Sequence, residues 1–221
     1  MRKFYLVSKK IAALPQQLSW SHWCELIKVN DINAINYYID ITIKQNLSYR
    51  KLGEKIKQKE YERLDDKTKL KLINKEEVNI SDLVKNPIII KSNSNDYELI
   101  SELALKRLIL EQIEEFMKEL GMGFTFVGSE YKIKIGSKNN YIDLLLFNYL
   151  YNAFVVIELK VTELKKEHIG QIQVYMNYID KNIKTINQDK TIGIILVKKD
   201  NKVLLEYSSD DRIMTREFVV M

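Results

Sequence analysis

The sequence predicts an α/β protein in which a basic, helical N-terminal domain of the helix-turn-helix type precedes a core with a central mixed sheet flanked by helices. Two observations on the 221 residues indicate this division. Residues 1–96 hold 18 basic and 12 acidic side chains, whereas residues 97–221 hold 17 and 18. Six of the seven glycines lie at or after Gly121, so turn-forming residues are concentrated in the second part. We therefore expect helices in front and most strands behind.

Three short helices are predicted in the N-terminal part, each preceded by a residue that can cap it. Ser19, Asp31 and Ser48 have side chains that accept hydrogen bonds from a first helical turn, and apolar residues recur after each at helical spacing. The third helix, YRKLGEKIKQ, has one apolar face and otherwise basic faces. Two helices joined by a short turn, the second of them basic, are typical of a helix-turn-helix.

The basic residues of this part indicate nucleic acid as a partner. Residues 44–75 hold 11 basic and 5 acidic side chains, enough to pair with several phosphates. We expect Arg50, Lys51 and Lys55 on the third helix to contact DNA. A lysine-rich helix face is equally typical of a solvated surface, so this pattern alone leaves both interpretations open.

The helical pattern fades between residues 74 and 97, where Pro87 and a run of serines and asparagines interrupt it. This stretch predicts a linker with one short helical turn at residues 81–85. The predicted domains are therefore a basic helical domain over residues 1–73 and an α/β domain over residues 98–221.

The α/β domain begins with a long amphipathic helix over residues 99–120 that ends at Gly121. The residues 163–180 place apolar side chains on one side and predict a second helix. Strands are predicted for the alternating or continuous apolar stretches FTFVG, SEYKIKI, YIDLLLFN, AFVVIELKV and TIGIILVKK, with VLLEYS as a last element. The third and fourth of these strands are separated by a short link, which predicts an antiparallel hairpin.

Three charged residues interrupt the apolar strands of this domain. Asp143 lies within YIDLLLF, and Glu158 and Lys160 close the run AFVVIELK. Strands that are apolar on both faces are typical of the centre of a sheet, where an uncompensated charge is strongly unfavourable. Period-two geometry puts Glu158 and Lys160 on one face, and the hairpin puts Asp143 roughly opposite Glu158. Two carboxylates and an ammonium are therefore predicted to converge at one end of the sheet.

This group of side chains suits metal-assisted hydrolysis of a phosphodiester. Carboxylate oxygens hold Mg²⁺, which usually keeps several waters and is shared with substrate phosphates. The ion polarises the phosphate and lowers the pKa of a bound water, and a neighbouring lysine orients that water or stabilises the developing charge. An ion pair on an exposed strand is the alternative interpretation of Glu-x-Lys alone. The combination with an aspartate on an adjacent apolar strand favours the metal site.

The order of helix, Asp143 strand, Glu158-x-Lys160 strand and helix resembles the PD-(D/E)XK nuclease superfamily. More narrowly, nearly the whole chain resembles the YhcG-like nucleases of bacteria. The resemblance rests on FYLVSKKIAALPQQLSWSH, KEYERL, KELGMGFTFVGSEYKIKIGSKNNYIDLLLFN, FVVIELK and GQIQVYMNYID. It implies a restriction-endonuclease-like core and DNA cleavage that depends on a divalent metal, Mg²⁺ or Mn²⁺.

The resemblance also implies roles for the residues of the strand pair. Asp143 and Glu158 are expected to be metal ligands together with the backbone carbonyl of Leu159, and Lys160 is expected to be the catalytic lysine. Ile142 stands before Asp143 where the superfamily pattern has proline, a departure that removes no ligand.

Further candidates lie on the two helices of the α/β domain. The resemblance implies that Gln171 points into the site from the second helix, and helical spacing puts Tyr175, four residues later, on the same face. The resemblance also implies an auxiliary carboxylate on the first helix, for which Glu111 and Glu114 are candidates, and both equally fit a solvent-facing position.

Composition excludes several classes of protein. Cys24 is the only cysteine, and His22 and His168 are the only histidines, which excludes a disulfide scaffold and a multi-histidine metal site. The longest apolar run is far shorter than the roughly 20 residues of a membrane span. The N-terminus lacks the apolar core of a signal peptide. We therefore expect a cytoplasmic protein with no membrane partner.

The first functional hypothesis is a metal-dependent DNA endonuclease, and the second is a non-catalytic DNA-binding or assembly subunit of a restriction or mobile-element system. A nuclease that processes RNA is a third, because carboxylates and metal do not distinguish the sugar. A homodimer would provide the two symmetry-related sites that cutting both strands requires. The abrupt start at FYLVSKK suggests a shortened family member.

Overall fold

The computed structural model describes residue 5 and residues 15–92, 100–201 and 210–221. The chain divides into two compact units, residues 1–78 and residues 79–221. Each unit has hydrophobic clusters of its own. Within the described ranges, no helix is long and apolar enough to cross a membrane.

The described part of the first unit contains the helices α1 (Trp20–Leu26), α2 (Ile32–Lys44), α3 (Tyr49–Lys57) and α4 (Asp66–Asn74). The first three confirm the predicted helices. The cap at Asp31 is also confirmed, because its Oδ1 accepts a hydrogen bond from the Asn33 N–H at 2.9 Å. Ser48 Oγ likewise accepts from the Lys51 N–H at 3.4 Å. The core of this unit is built from residues that include Leu26, Ala34, Ile35, Tyr38 and Leu52.

A four-residue turn joins α2 to α3, and Asn46 within it adopts a left-handed backbone with φ 48°. The Nε2 atom of His22 lies 2.9 Å from the carbonyl oxygen of Leu47, so α1 is fastened to this turn. Helix α4 was not predicted, because two of its large apolar side chains, Leu70 and Ile73, are exposed and give no buried stripe.

The second unit is built on a six-stranded mixed sheet in the order β1-β6-β5-β4-β3-β2. Its strands are β1 (Ile88–Ile90), β2 (Phe124–Ile135), β3 (Lys138–Asn148), β4 (Ala153–Glu163), β5 (Asp189–Lys199) and β6 (Ile213–Val220). Strands β2, β3 and β4 pair antiparallel, whereas β4, β5, β6 and β1 pair parallel. The predicted mixed sheet and the predicted hairpin of β3 and β4 are thus confirmed.

Helices cover both faces of this sheet. The helices α6 (Glu102–Glu111) and α7 (Ile113–Leu120) pack on one face, where Leu105 and Ile109 meet Leu144 and Leu146. Helix α8 (Lys166–Asn182) packs on the other face, where Ile172 and Met176 are fully buried. Both faces of β4 are therefore inside the protein, as its continuous apolar run predicts.

The predicted helix over residues 99–120 is two helices, α6 and α7, separated at Gln112 with φ −126° and ψ 40°. A single non-helical residue hardly disturbs the apolar period, so the pattern could not show the break. The stretches FTFVG and SEYKIKI form the single strand β2, whose register is irregular between Phe126 and Gly128. The element predicted for VLLEYS lies outside the described residues.

Part of the predicted linker belongs to the second unit. Helix α5 (Ile80–Leu83) overlaps the predicted turn, but β1 pairs parallel with β6, so residues 79–90 are part of the α/β fold. A strand of three residues beside a proline shows no alternation that a sequence pattern could detect. Strand β6 was missed as well, because Arg216 occupies a buried position in it and donates to the carbonyl oxygens of Val84 and Ser81.

Candidate active site

The hairpin of β3 and β4 brings Asp143 and Glu158 together. Leu144 pairs with Ile157, and the same antiparallel register continued by one residue places Asp143 across from Glu158. The Leu159 N–H donates a hydrogen bond to Asp143 Oδ2 at 2.9 Å and holds that carboxylate against β4. The convergence predicted from the sequence is therefore present.

Glu158 is a buried carboxylate whose two oxygens have different surroundings. Its Oε1 accepts hydrogen bonds from Lys160 Nζ and Gln171 Nε2, both at 2.9 Å. Its Oε2 is buried and has no hydrogen-bond partner in the described part of the chain. Burial, with repulsion from Asp143, raises the pKa of Glu158 to about 7, although Lys160 opposes the shift.

Gln171 and Tyr175 reach this carboxylate from α8. They lie one helical turn apart, and Gln171 Nε2 is also within 3.0 Å of the Tyr175 hydroxyl oxygen. The prediction that Gln171 points into the site agrees with this position. Tyr175 contacts Gln171, and its side chain is largely buried beneath it.

Lys160 shares its face of β4 with Glu158 and lies between carboxylates. Its Nζ is 3.7 Å from Glu102 Oε2, in addition to its contact with Glu158. Burial alone would lower the pKa of Lys160, but the attraction of Glu158, Glu102 and Asp143 outweighs it and raises the pKa, so the side chain is a cation.

Sequence reasoning missed a second lysine at the site. Lys106 of α6 places its Nζ 2.6 Å from Asp143 Oδ1 and also forms an ion pair with Glu130 of β2. Burial would lower the pKa of Lys106, but Asp143 and Glu130 together raise it. A charge on an amphipathic helix or an exposed strand is ordinary, so neither Lys106 nor Glu130 stood out in the sequence.

The predicted auxiliary carboxylates do not join the cluster. Glu111 and Glu114 are exposed, and neither contacts Asp143, Glu158 or Lys160 in the described residues. The carboxylate that α6 brings nearest to Lys160 is Glu102, in its first turn. Nothing in the sequence singles out Glu102, because acidic residues lie at both ends of α6.

The three residues predicted to contact DNA separate into two kinds. Arg50 and Lys51 are exposed at the start of α3. Lys55 instead forms an ion pair at 2.8 Å with Glu60, which is buried and also accepts a hydrogen bond from the Tyr37 hydroxyl. Lys55 is therefore part of the fold of the first unit.

The side chains at the site fit a divalent cation. The carboxylates of Glu102, Glu130, Asp143 and Glu158 and the ammonium groups of Lys106 and Lys160 leave two negative charges in excess when all are ionised. Carboxylate oxygens are the donors that Mg²⁺ and Mn²⁺ take, and the buried Oε2 of Glu158 lacks a partner. Among the described residues, no group of three or more His, Cys, Asp or Glu side chains is placed to hold a metal, so the remaining ligands would be backbone, water or substrate.

Family models match both parts of the chain. A family model described as the YhcG PDDEXK nuclease domain matches residues 81–219, and one described as the DUF1016 N-terminal domain matches residues 1–63. The curated protein "Putative nuclease YhcG" of Escherichia coli (strain K12) is 26% identical over 196 residues, which are 86% of this chain and 51% of that protein. The chain thus spans about half the length of this relative.

Solved structures give more distant similarities. The crystal structure of a repair endonuclease from Pyrococcus abyssi aligns over 58% of this chain and 49% of its own, with 20% identity and a TM-score of 0.37. A complex of EndoMS with dsDNA aligns over 58% and 48%, with 24% identity and a TM-score of 0.37.

Proposed function

The chain belongs to the YhcG family of PD-(D/E)XK nucleases, and from this premise we propose that it is a divalent-metal-dependent endonuclease that hydrolyses phosphodiester bonds of DNA. One observation carries the proposal: Glu158 Oε2 is buried without a partner in the described residues, while Oε1 has two donors. A buried, unpartnered carboxylate oxygen is unfavourable for folding, and a cation relieves that penalty. The arrangement is typical of a site built for a ligand.

Asp143, Glu158 and the backbone carbonyl of Leu159 are the groups that would hold Mg²⁺ or Mn²⁺. When bound, such an ion polarises a phosphate and lowers the pKa of a bound water. Gln171 and Lys160 both bind Oε1, so one oxygen of Glu158 is fixed and the other is left for the cation. Supporting contacts of this kind orient a ligand and tune its affinity.

We assign to Lys160 the contact with the reacting phosphate. Its ammonium is charged, only 14% exposed, and adjoins both Glu158 and Glu102. A cation at this place would orient the attacking water and stabilise the negative charge that develops on the phosphate oxygens.

We propose that the first unit supplies binding to the DNA backbone through the α2–turn–α3 segment, as in a helix-turn-helix. Residues 44–75 hold 11 basic and 5 acidic side chains, and Arg50 and Lys51 are exposed at the start of α3. Positive charge on an exposed helix attracts phosphates whatever the base sequence. Lys55 is omitted from the proposed contacts because it forms an ion pair with the buried Glu60.

The test is a cleavage assay on linear duplex, single-stranded, flap and four-way-junction DNA and on matched RNA, each with Mg²⁺, Mn²⁺ or EDTA. Wild type is compared with Glu158→Gln, which keeps an acceptor for Lys160 and Gln171 but removes the charge. Glu163→Gln is the matched control, because Glu163 is an exposed glutamate at the end of the same strand. We expect metal-dependent cutting of DNA by wild type and Glu163→Gln, and a loss of at least about 100-fold in Glu158→Gln.

Cutting that survives in Glu158→Gln would refute the proposed site. DNA binding without cutting by the wild type, in any metal, would favour the non-catalytic assembly protein. Preferential cutting of RNA would show that the substrate is RNA and not DNA, without contradicting the proposed site.

A further inference from the structure

Lys106 forms an ion pair with an oxygen of Asp143, one of the carboxylates proposed to hold the metal. Its Nζ lies 2.6 Å from Asp143 Oδ1, while Asp143 Oδ2 accepts from the Leu159 N–H. Both oxygens of the aspartate therefore have partners within the protein. A divalent cation on Asp143 would lie within a few ångströms of the ammonium, and two cations at that distance repel strongly in a partly buried site.

Glu130 gives the ammonium a second anchor. Ser129 pairs with Leu144 and Tyr131 with Ile142, so Glu130 lies across from Asp143 on the neighbouring strand. Its backbone is left-handed, with φ 49°, which is rare for a residue other than glycine and marks a local distortion of β2. Lys106 forms ion pairs with both carboxylates, so it can lose one without becoming an unpaired charge.

The structure also leaves space for this movement. Lys106 and Glu130 line an open groove of about 540 Å³ beside α6, together with Leu103, Arg107, Leu110 and Glu111. The side chain of Lys106 is 13% exposed and that of Glu130 is 56% exposed, so the path from Asp143 towards Glu130 leads from the interior to solvent. A lysine side chain has enough rotatable bonds to follow it.

We propose that Lys106 is the counter-ion of Asp143 in the metal-free protein, and that metal binding displaces it towards Glu130, where it binds a phosphate oxygen of the nucleic acid. This inference rests on the proposed nuclease function for the identity of the phosphate. Lys106 is thus a binding residue whose availability depends on the metal, distinct from Lys160, which stays on Glu158.

The experiment measures Mn²⁺ binding by calorimetry without nucleic acid, and then DNA binding in Ca²⁺. Lys106→Met removes the charge and keeps the length, and Lys106→Arg keeps a charge. Lys118→Met is the control, since Lys118 is exposed on α7 and forms its ion pair with Glu115, away from Asp143. We expect Lys106→Met to bind Mn²⁺ about tenfold more tightly than wild type, because a competing cation is gone. Lys106→Arg and Lys118→Met should stay near the wild type.

In Ca²⁺, Lys106→Met should bind duplex DNA several-fold more weakly, with a salt dependence smaller by about one phosphate contact. Unchanged or weaker Mn²⁺ binding in a folded Lys106→Met protein would overturn the displacement, and unchanged DNA binding would overturn the phosphate contact. If Lys106→Met misfolds, an Mn²⁺ affinity of Glu130→Gln equal to that of the wild type overturns the two-anchor arrangement. Wild-type protein that binds Mn²⁺ but never cuts would refute the nuclease function and leave the displacement standing.

Discussion

At the scale of single residues, Glu158 shows how a charge is kept inside a sheet. Its side chain is 3% exposed, and the two donors on Oε1 offset only part of the hydration that it loses. Repulsion from Asp143 across the hairpin adds to the burden. Because this loss of hydration is not fully offset, the carboxylate of Glu158 favours binding a proton or a cation.

This imbalance predicts a pH dependence of stability. The pKa of Glu158 rises from 4.5 to about 7 on folding, so between these values the folded state holds a proton that the unfolded state releases. Stability must then fall as the pH rises through this window. We expect metal-free wild type to lose about 3 kcal/mol more than Glu158→Gln between pH 4.5 and 7.

Urea unfolding at several pH values measures this difference. Parallel curves for the two proteins would show that the charge of Glu158 is already compensated. Added Mg²⁺ should restore stability to the wild type above pH 7 and have little effect on Glu158→Gln.

Gln171 gives a second prediction at this scale. Gln171→Leu removes a donor from Glu158 Oε1 without adding charge, and Tyr175→Phe removes only the hydroxyl behind it. We expect Gln171→Leu to lower the cleavage rate by roughly 10- to 100-fold and to weaken Mn²⁺ binding, as loss of a supporting contact does. Tyr175→Phe should have a clearly smaller effect. Equal losses in both variants would mean that packing, and not the hydrogen bond to Glu158, is responsible.

The residues that sequence reasoning found and missed differ in one physical respect. Asp143, Glu158 and Lys160 interrupt apolar runs, where a charge requires an explanation. Lys106 and Glu130 lie where charges are expected, on an amphipathic helix and on a strand with an exposed face. Only their position beside Asp143 indicates a role at the site, and that position depends on the register of β2 and the packing of α6.

At the scale of elements, α3 carries two kinds of lysine that the sequence cannot distinguish. Lys51 is exposed, whereas Lys55 neutralises a buried glutamate one turn further along. Both lie at helical spacing on a basic helix, so both were predicted to contact DNA. The difference arises from Glu60, which follows the helix and folds back against it.

This distinction makes a prediction for the first unit. Arg50→Ala with Lys51→Ala should weaken DNA binding and reduce its salt dependence by about two phosphate contacts, with thermal stability unchanged. Lys55→Ala should instead cost about 2 kcal/mol of stability, because the buried Glu60 loses its ion pair with Lys55. Filter-binding titrations across salt concentrations and thermal melts separate the two. An unchanged salt dependence in the double variant would leave α3 as a solvated surface.

Helix breaks and short strands mark the limit of pattern reasoning for elements. The hairpin of β3 and β4 was predictable because each strand is long and apolar. The break at Gln112 and the strand β1 were not, since one altered residue and a three-residue strand leave no period to recognise. Their existence is decided by tertiary contacts.

At the scale of the whole molecule, the charge asymmetry of the sequence corresponds to two units with different chemistry. The basic excess lies in the N-terminal part of the chain, and the four carboxylates of the site lie in the second unit. The boundary after residue 78 is earlier than the sequence predicted for the α/β domain, because α5 and β1 contribute to the sheet. A fragment that starts at residue 98 would omit a strand.

The position of β6 between β1 and β5 has a consequence for how the chain folds as it is made. β1 is the first described strand of the second unit to leave the ribosome, but its partner in the described sheet is β6, the last described strand, about 130 residues later. Contacts so distant in sequence form slowly. During synthesis β1 therefore has no partner strand until β6 is made, and Val84 has no Arg216 to bind. The hairpin of β3 and β4 and helix α8, which carry Asp143, Glu158 and Gln171, are made earlier. β1 can therefore join the described sheet through β6 only after β6 has been made, although β1 is synthesised first.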